Sequence, residues 1–299
     1  MRSLSRDPAR LGFVLGVLCA AIWGVQAVVS RQSALDGLTA GDVTLLRFAT
    51  AGLVLLPVAL TRNPPFPVGQ LGWRRATVLS FLGGAPYSLV LVGGAAFAPA
   101  LHSAIIVPGL VPLISAPLTY FLAGERFARA NLAGLALLLF GVGIFSWDAM
   151  TGSPSREGAW RGDLLFVSAG VMWAMFGFLV RRWGVDAVGA TISICVLSLL
   201  SVPFWAPLVP LRLTSASASA IALQAAYQGV LVGVVSLFLY ARTVKLLGAM
   251  RAALFLSLVP GFAALAGAVL LGELPSPFEG IGMGVVIAGM IMAFRRSVA

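Results

Sequence analysis

The chain has 299 residues, of which 60% are hydrophobic and 10% charged, and its mean hydropathy is +1.00. Soluble domains carry roughly a quarter charged residues, so this composition excludes a water-facing globule and fits a chain solvated largely by lipid. The net charge of +10 does not mark a nucleic-acid binder, because the basic residues stand singly between apolar runs, with no basic face and no aromatic interleaving.

Taken in chain order, the runs with few or no charges predict ten helices: 11–30, 42–61, 75–97, 101–122, 130–147, 162–181, 187–208, 219–241, 250–271 and 278–294. Residues 76–124 are charge-free throughout. As one helix they would reach roughly 74 Å against a hydrocarbon core of about 30 Å, so the run must turn, near Ala98-Pro99-Ala100. Continuous apolar sequence excludes β-barrel strands, which alternate, and backbone groups in lipid must be satisfied within each segment. Arg2, Arg6 and Arg10 give the first run a signal-peptide-like start, but the run is long enough to span and has a counterpart in the second half. Cys19 and Cys195 sit in apolar runs without CxxC spacing and read as small buried hydrophobes.

With both termini cytoplasmic, Arg31, Arg156, Arg161 and Arg212 fall outside and Arg47 lies within the membrane. The remaining fifteen of the twenty Lys and Arg fall inside, a strong positive-inside bias. The halves also repeat. Gly12–Arg31 lies over Gly162–Arg181 at an offset of 150, matching Trp23 to Trp173. VPLISAPLTYFLAGE (Val111–Glu125) lies over VPGFAALAGAVLLGE (Val259–Glu273) at an offset of 148, with six identities. Five helices per half is an odd number, so the second half must be inverted. The expected architecture is therefore all-α: ten transmembrane helices as two inverted five-helix repeats, 1–148 and 162–299, joined by an outer linker 149–161 around a central cavity.

Candidate substrate-binding residues follow from polar, aromatic and helix-breaking positions within the spans. Trp23 and Gln26 share a face of helix 1, and Trp173 and Phe176 hold the same positions in helix 6, two aromatic walls for a flat or apolar side chain. Tyr87 and Ser88 in helix 3 and Ser236 in helix 8 add hydroxyls, which either meet a ligand or bond back to their own helices. Pro108, Pro112 and Pro117 in helix 4, Pro260 in helix 9 and Pro86 in helix 3 each remove a backbone donor and free a carbonyl for a cavity. His102, the single histidine, reads either as a titrating gate or as a hydrated residue at the end of the loop. Arg47 reads as a snorkelling arginine or as the partner of Asp42 or an outer carboxylate, Glu125 and Glu273 as helix ends at the membrane face with Glu125 an exposed cap, and Asp148, Glu157, Asp163 and Asp186 as loop residues. The glycine pairs Gly12/Gly16, Gly229/Gly233 and Gly280/Gly284 predict close helix contacts.

No acid stands at a helix midpoint, which favours facilitated diffusion over ion coupling, and no central pair of cations is present to hold a phosphorylated substrate. A net-neutral, partly apolar substrate is expected, with no cofactor and no metal. Without GxSxG, HExxH or paired aspartates, an enzyme is not expected. A proton-coupled antiporter and a lipid-linked flippase are the competing carriers.

Trp23-Gly24, Ser103-Ala104, Pro112, Gly124-Glu125, Gly134 and Gly141-Val142, echoed by Trp173, Ala252, Pro260, Gly272-Glu273, Gly282 and Gly289, form an ordered set across nearly the whole chain. In this the sequence resembles the EamA-like branch of the drug/metabolite transporter superfamily. The resemblance implies a ten-helix carrier of the bacterial inner membrane that exports small metabolites, most similar to the exporters of aromatic amino acids and methionine. A monomer in the lipid bilayer acting on an amino-acid-like substrate is the expected working unit. The chain departs from symmetry where Arg251 replaces Ser103, so the two half-sites differ chemically.

Overall fold

The apolar runs fold into helices, and in the computed structural model, which describes residues 8–61, 71–124, 128–151 and 157–293, no strand occurs among the described residues. The elements are α1 (Pro8–Leu35), α2 (Ala40–Thr61), α3 (Gly72–Gly83), α4 (Ala85–Gly94), α5 (Ala100–Ala123), α6 (Arg129–Phe145), the short α7 (Trp147–Met150), α8 (Ala159–Arg182), α9 (Ala187–Leu200) and the short α10 (Val202–Trp205). Then α11 (Ala218–Gln224) runs through a π-helical stretch, Ala225–Val235, into α12 (Ser236–Leu247). A final group holds α13 (Ala249–Leu254), a 3₁₀ turn Phe255–Leu258, α14 (Val259–Leu271) and α15 (Pro277–Ala293). Among the described residues, seven stretches are long and apolar enough to cross a membrane, and an eighth forms if α9 and the turns after it, bent by 47°, count as one span. The helices α6 and α15 are apolar but shorter, at 17 residues each. Arg2, Arg6, Arg62, Glu125, Arg126, Arg156, Arg295 and Arg296 lie outside the described residues.

Helix breaks account for two of the prolines. Pro86 opens α4 after the break at Gly84, and Pro260 opens α14 after the 3₁₀ turn. In a first turn the missing N–H has no intrahelical acceptor to lose, so these prolines start helices rather than strip carbonyls in mid-span, which corrects the sequence expectation for both. Pro108, Pro112 and Pro117 do stand inside the continuous α5, with Pro112 buried and Pro117 exposed. The doubled Gly-Glu also has a backbone reason. Gly124 and Gly272 adopt φ of 69° and 67° just past α5 and α14, a left-handed cap that a Cβ would strain.

Packing crosses between the halves of the chain. The first helix lies on α12 and α14, α8 lies on α4 and α5, α2 lies on α9 and on the π stretch, and α6 lies antiparallel on α15. At the last interface a Cβ on Gly289 would sit 2.6 Å from Leu138 N, and one on Gly141 2.7 Å from Val286 N, so backbone meets backbone. Gly229 and Gly233 meet Thr50 and Ala51, and Gly12 and Gly16 meet Leu247 and Phe255, as their spacing predicts. The third pair does not: nothing lies within 4 Å of a Cβ at Gly280 or Gly284, and Gly282 and Gly289 take that role. Outward-facing rings such as Phe121 and Phe204, each 78% exposed, give the bundle an apolar surface suited to lipid.

Candidate functional site

Two aromatic clusters stand where helices from the two halves meet. In one, the Trp173 ring of α8 stacks on Tyr87 of α4 (centroids 5.2 Å apart, 29° between planes) and on Phe176 a turn along its own helix (5.0 Å, 27°). Beside Tyr87, the buried Ser88 accepts a hydrogen bond from Thr44 Oγ1 of α2 at 3.0 Å. In the other, Trp23 Nε1 of α1 donates to Ser236 Oγ at 3.0 Å, and its ring lies 5.2 Å from Tyr240. Ser236 Oγ in turn donates to Val232 O, four residues back, so this serine both receives a tryptophan and bonds its own helix. Gln26 is half-buried one turn beyond Trp23. Of the two thiols, Cys19 approaches Ser236 O and Cys195 approaches Gly233 O, both buried and unpaired to each other. The half-buried Pro108 and the buried Pro112 continue α5 away from His102, while the buried Pro260 lies where α14 packs on α1.

At the end of the bundle that carries Arg31, polar groups fasten helices together. His102 is fully buried: Nδ1 lies 2.6 Å from Asp163 Oδ1 of α8 and Nε2 lies 2.9 Å from Glu279 Oε1 of α15. This overturns the hydrated loop-end reading of His102 and the loop reading of Asp163, which is buried in the second turn of α8. Both ring nitrogens are engaged, so His102 joins α5 to α8 and α15 rather than offering a free edge. Two ionised carboxylates require an N–H on each nitrogen; otherwise one carboxyl carries the proton. Nearby, Arg31 Nε pairs with Glu273 Oε1 at 2.9 Å while its Nη1 donates to Ala95 O, and Glu273 Oε2 accepts from Ala100 N, the first residue of α5. Glu273 is thus an ion-pair partner and a cap for another helix, not a cap for its own.

Arg47 does not pair with Asp42. The Asp42 carboxylate accepts from Thr39 N and Oγ1 and from Arg212 N, a reciprocal cap at the start of α2 completed by Asp42 N donating to Thr39 Oγ1. Nor does Arg47 reach solvent, being 8% exposed. Sequence reasoning also passed over Glu279, Tyr240 and Thr44. A signal for Glu279 existed: Ser276-Pro-Phe-Glu279 is a capping box with proline in the first turn, and Ser276 N donates to Glu279 Oε2 at 2.8 Å.

The model of the EamA-like transporter family matches residues 10–147 and again residues 160–295. The chain belongs to the EamA-like transporter family. As an EamA-like chain with several apolar helices it is a multi-pass membrane protein and a transporter of small molecules. A probable terminal-alkyne amino-acid exporter of Streptantibioticus cattleyicolor is 25% identical over 300 residues, covering 94% of this chain and 95% of that one. The uncharacterized transporter YetK of Bacillus subtilis is 26% identical over 260 residues, covering 83% and 76%. One crystal structure superposes with a TM-score of 0.59 at 20% identity over 94% of this EamA-like chain and 96% of its own, a likeness of fold.

Proposed function

We propose that this EamA-like protein exports small, net-neutral, partly apolar metabolites, with aromatic amino acids and methionine as substrates, by alternating access between two inverted repeats. In this reading ten spans cross the bacterial inner membrane, 1–148 and 162–299 are the repeats, 149–161 is an outer linker, and both termini are cytoplasmic. The observation that carries it is the reciprocal pairing of helices. Helix α1 lies on α12 and α14 as α8 lies on α4 and α5, and Gly134 meets Ala293 as Gly282 meets Phe145. An offset of 148 carries Gly134 to Gly282 and Phe145 to Ala293, so the two contacts exchange under the repeat, as a two-fold axis in the membrane plane requires. In this reading the two tryptophans stand on either side of that axis, each against the facing half: Trp23 on Tyr240 and Ser236, and Trp173 on Tyr87. The amino-acid substrate draws further support from the exporter of Streptantibioticus cattleyicolor.

Transport runs down the substrate's own gradient, since Asp163 and Glu279 lie in the first two turns of their helices and not at midspan. A proton-linked cycle is the second reading, favoured by the buried His102 held between those two acids. Proteoliposomes loaded with labelled phenylalanine or methionine decide between them. Efflux that survives an uncoupler is expected; strict dependence on a proton gradient selects the second reading, and no movement of either amino acid removes the substrate assignment. Single-cysteine labelling that puts the two termini on opposite faces would sink the inverted repeat.

A further inference from the structure

Arg47 is the least explained polar group in the bundle. It is 8% exposed in the third turn of α2, and its Nε and Nη1 have no hydrogen-bond partner among the described residues. The ring of the next residue, Phe48, lies 5.5 Å from its Cζ. A guanidinium is charged under all ordinary conditions and presents five N–H donors in a fixed fork. Buried without a counter-charge, it carries a large desolvation penalty. None of the buried or half-buried acids among the described residues pairs with it: Asp42 is bound by Thr39 and Arg212, Asp163 and Glu279 by His102, and Glu273 by Arg31.

The surroundings point to a ligand. Tyr87 and Cys195 lie within electrostatic reach of Arg47, and Thr44, a turn before it, ties α2 to Ser88. Tyr87 is the first ring of the Tyr87–Trp173–Phe176 stack. An unpaired fork therefore stands beside a three-ring apolar wall. On the facing π stretch and its lead-in, Gln224 and Gln228 are fully buried; their Nε2 groups donate to Val29 O and Ser30 Oγ of α1, while both Oε1 atoms have no hydrogen-bond partner among the described residues.

We infer that Arg47 is the anchor for the substrate carboxylate, received as a bidentate pair while the apolar side chain lies toward Tyr87 and Trp173. This rests on the amino-acid reading above and names the group that recognises the substrate's acid. It also reconciles a net-neutral substrate with a cation in the bundle, because one carboxylate needs one fork, where a phosphate would draw several.

The test is counterflow of labelled L-phenylalanine in proteoliposomes, with unlabelled L-phenylalanine and L-phenylalaninamide as competitors. The amide keeps the ring and the ammonium but has no carboxylate. In the wild type the amide is expected to compete about ten- to hundredfold more weakly, the worth of a hydrogen-bonded charge pair. Arg47→Gln is expected to weaken phenylalanine by a similar factor and bring the two competitors to parity, and Arg47→Lys to fall between. The wild-type comparison needs no variant to fold, and a merely structural arginine would leave the ratio of the two competitors unmoved. If phenylalanine is transported but the amide competes equally in the wild type, or if Arg47→Gln keeps the wild-type ratio, the anchor is overturned and the amino-acid reading stands. If the wild type moves no phenylalanine, both fall.

Discussion

Trp23 and Trp173 do different work with the same ring. Trp23 is held by a hydrogen bond to Ser236, whereas Trp173 is held by stacking between Tyr87 and Phe176. Truncation of either to alanine should impair transport while expression is retained, and Trp23→Phe should cost about tenfold or less, since it removes one neutral hydrogen bond worth roughly 0.5–1.5 kcal/mol. Full activity of both alanine variants would remove the aromatic walls. His102→Ala leaves two buried carboxylates facing a gap, and breaking such a buried pair destabilises by on the order of 3–5 kcal/mol. A lowered thermal midpoint in detergent should report it, with Glu279→Gln losing less because His102 keeps Asp163; an unchanged midpoint in His102→Ala refutes the cross-link. The tryptophans and serines were legible in the sequence because their positions repeat. The His102 cluster was not: its partners lie 61 and 177 residues away, and a lone histidine beside a turn gives no sign of what faces it. Arg47 was visible as the one charge in its run, but its lack of a partner became visible only once Asp42 was seen to cap its own helix.

At the level of single elements, apolar runs located the helices, but apolarity is blind to where a helix bends. The break before Pro86 was marked by Gly83-Gly84 and the bend after Leu200 by Pro203, whereas the π stretch at Ala225–Val235 carries no comparable mark. Glycine spacing was similarly ambiguous along the last helix, where the small-xxx-small register picked Gly280 and Gly284 and the true contact uses Gly282 and Gly289. This gives a paired test. Gly289→Val drives a branched side chain into the α6 backbone and should destabilise by at least the roughly 1–3 kcal/mol of an overpacked core. Gly284→Ala should be neutral or slightly stabilising, because the site is open and alanine favours helix by about 0.5–1 kcal/mol. Size-exclusion profiles of the two fluorescently tagged variants, heated in parallel, check the contrast; equal behaviour would refute the assigned contact.

Across the whole molecule, the ion pairs among the described residues gather at the end that carries Arg31, while at the other end Arg181 and Arg182 donate to Thr119 Oγ1 and Leu122 O and tie α8 to α5. Arg31, Glu273, His102, Asp163 and Glu279 join α1, α5, α8 and α15 and the loop after α14. In the proposed orientation this is the outer face, and these contacts hold it together. Glu273→Gln weakens the Arg31 pair and the contact to Ala100 N together, so it should shift the bundle toward the outward-open state. A cysteine placed at the buried Leu101, labelled from outside with an impermeant maleimide, should react severalfold faster in the Glu273→Gln background; an unchanged rate would mean that this pair does not hold the outer end shut.

The seam between α6 and α15 has a mechanical meaning for any such cycle. Main chain lies on main chain there through Gly134, Gly141, Gly282 and Gly289, with Leu138, Phe145, Val286 and Met290 buried on the same two helices. Neither partner has room to rotate or slide without colliding with the other, so the two must travel as one rod. Whatever swings to admit or release cargo swings about this axle.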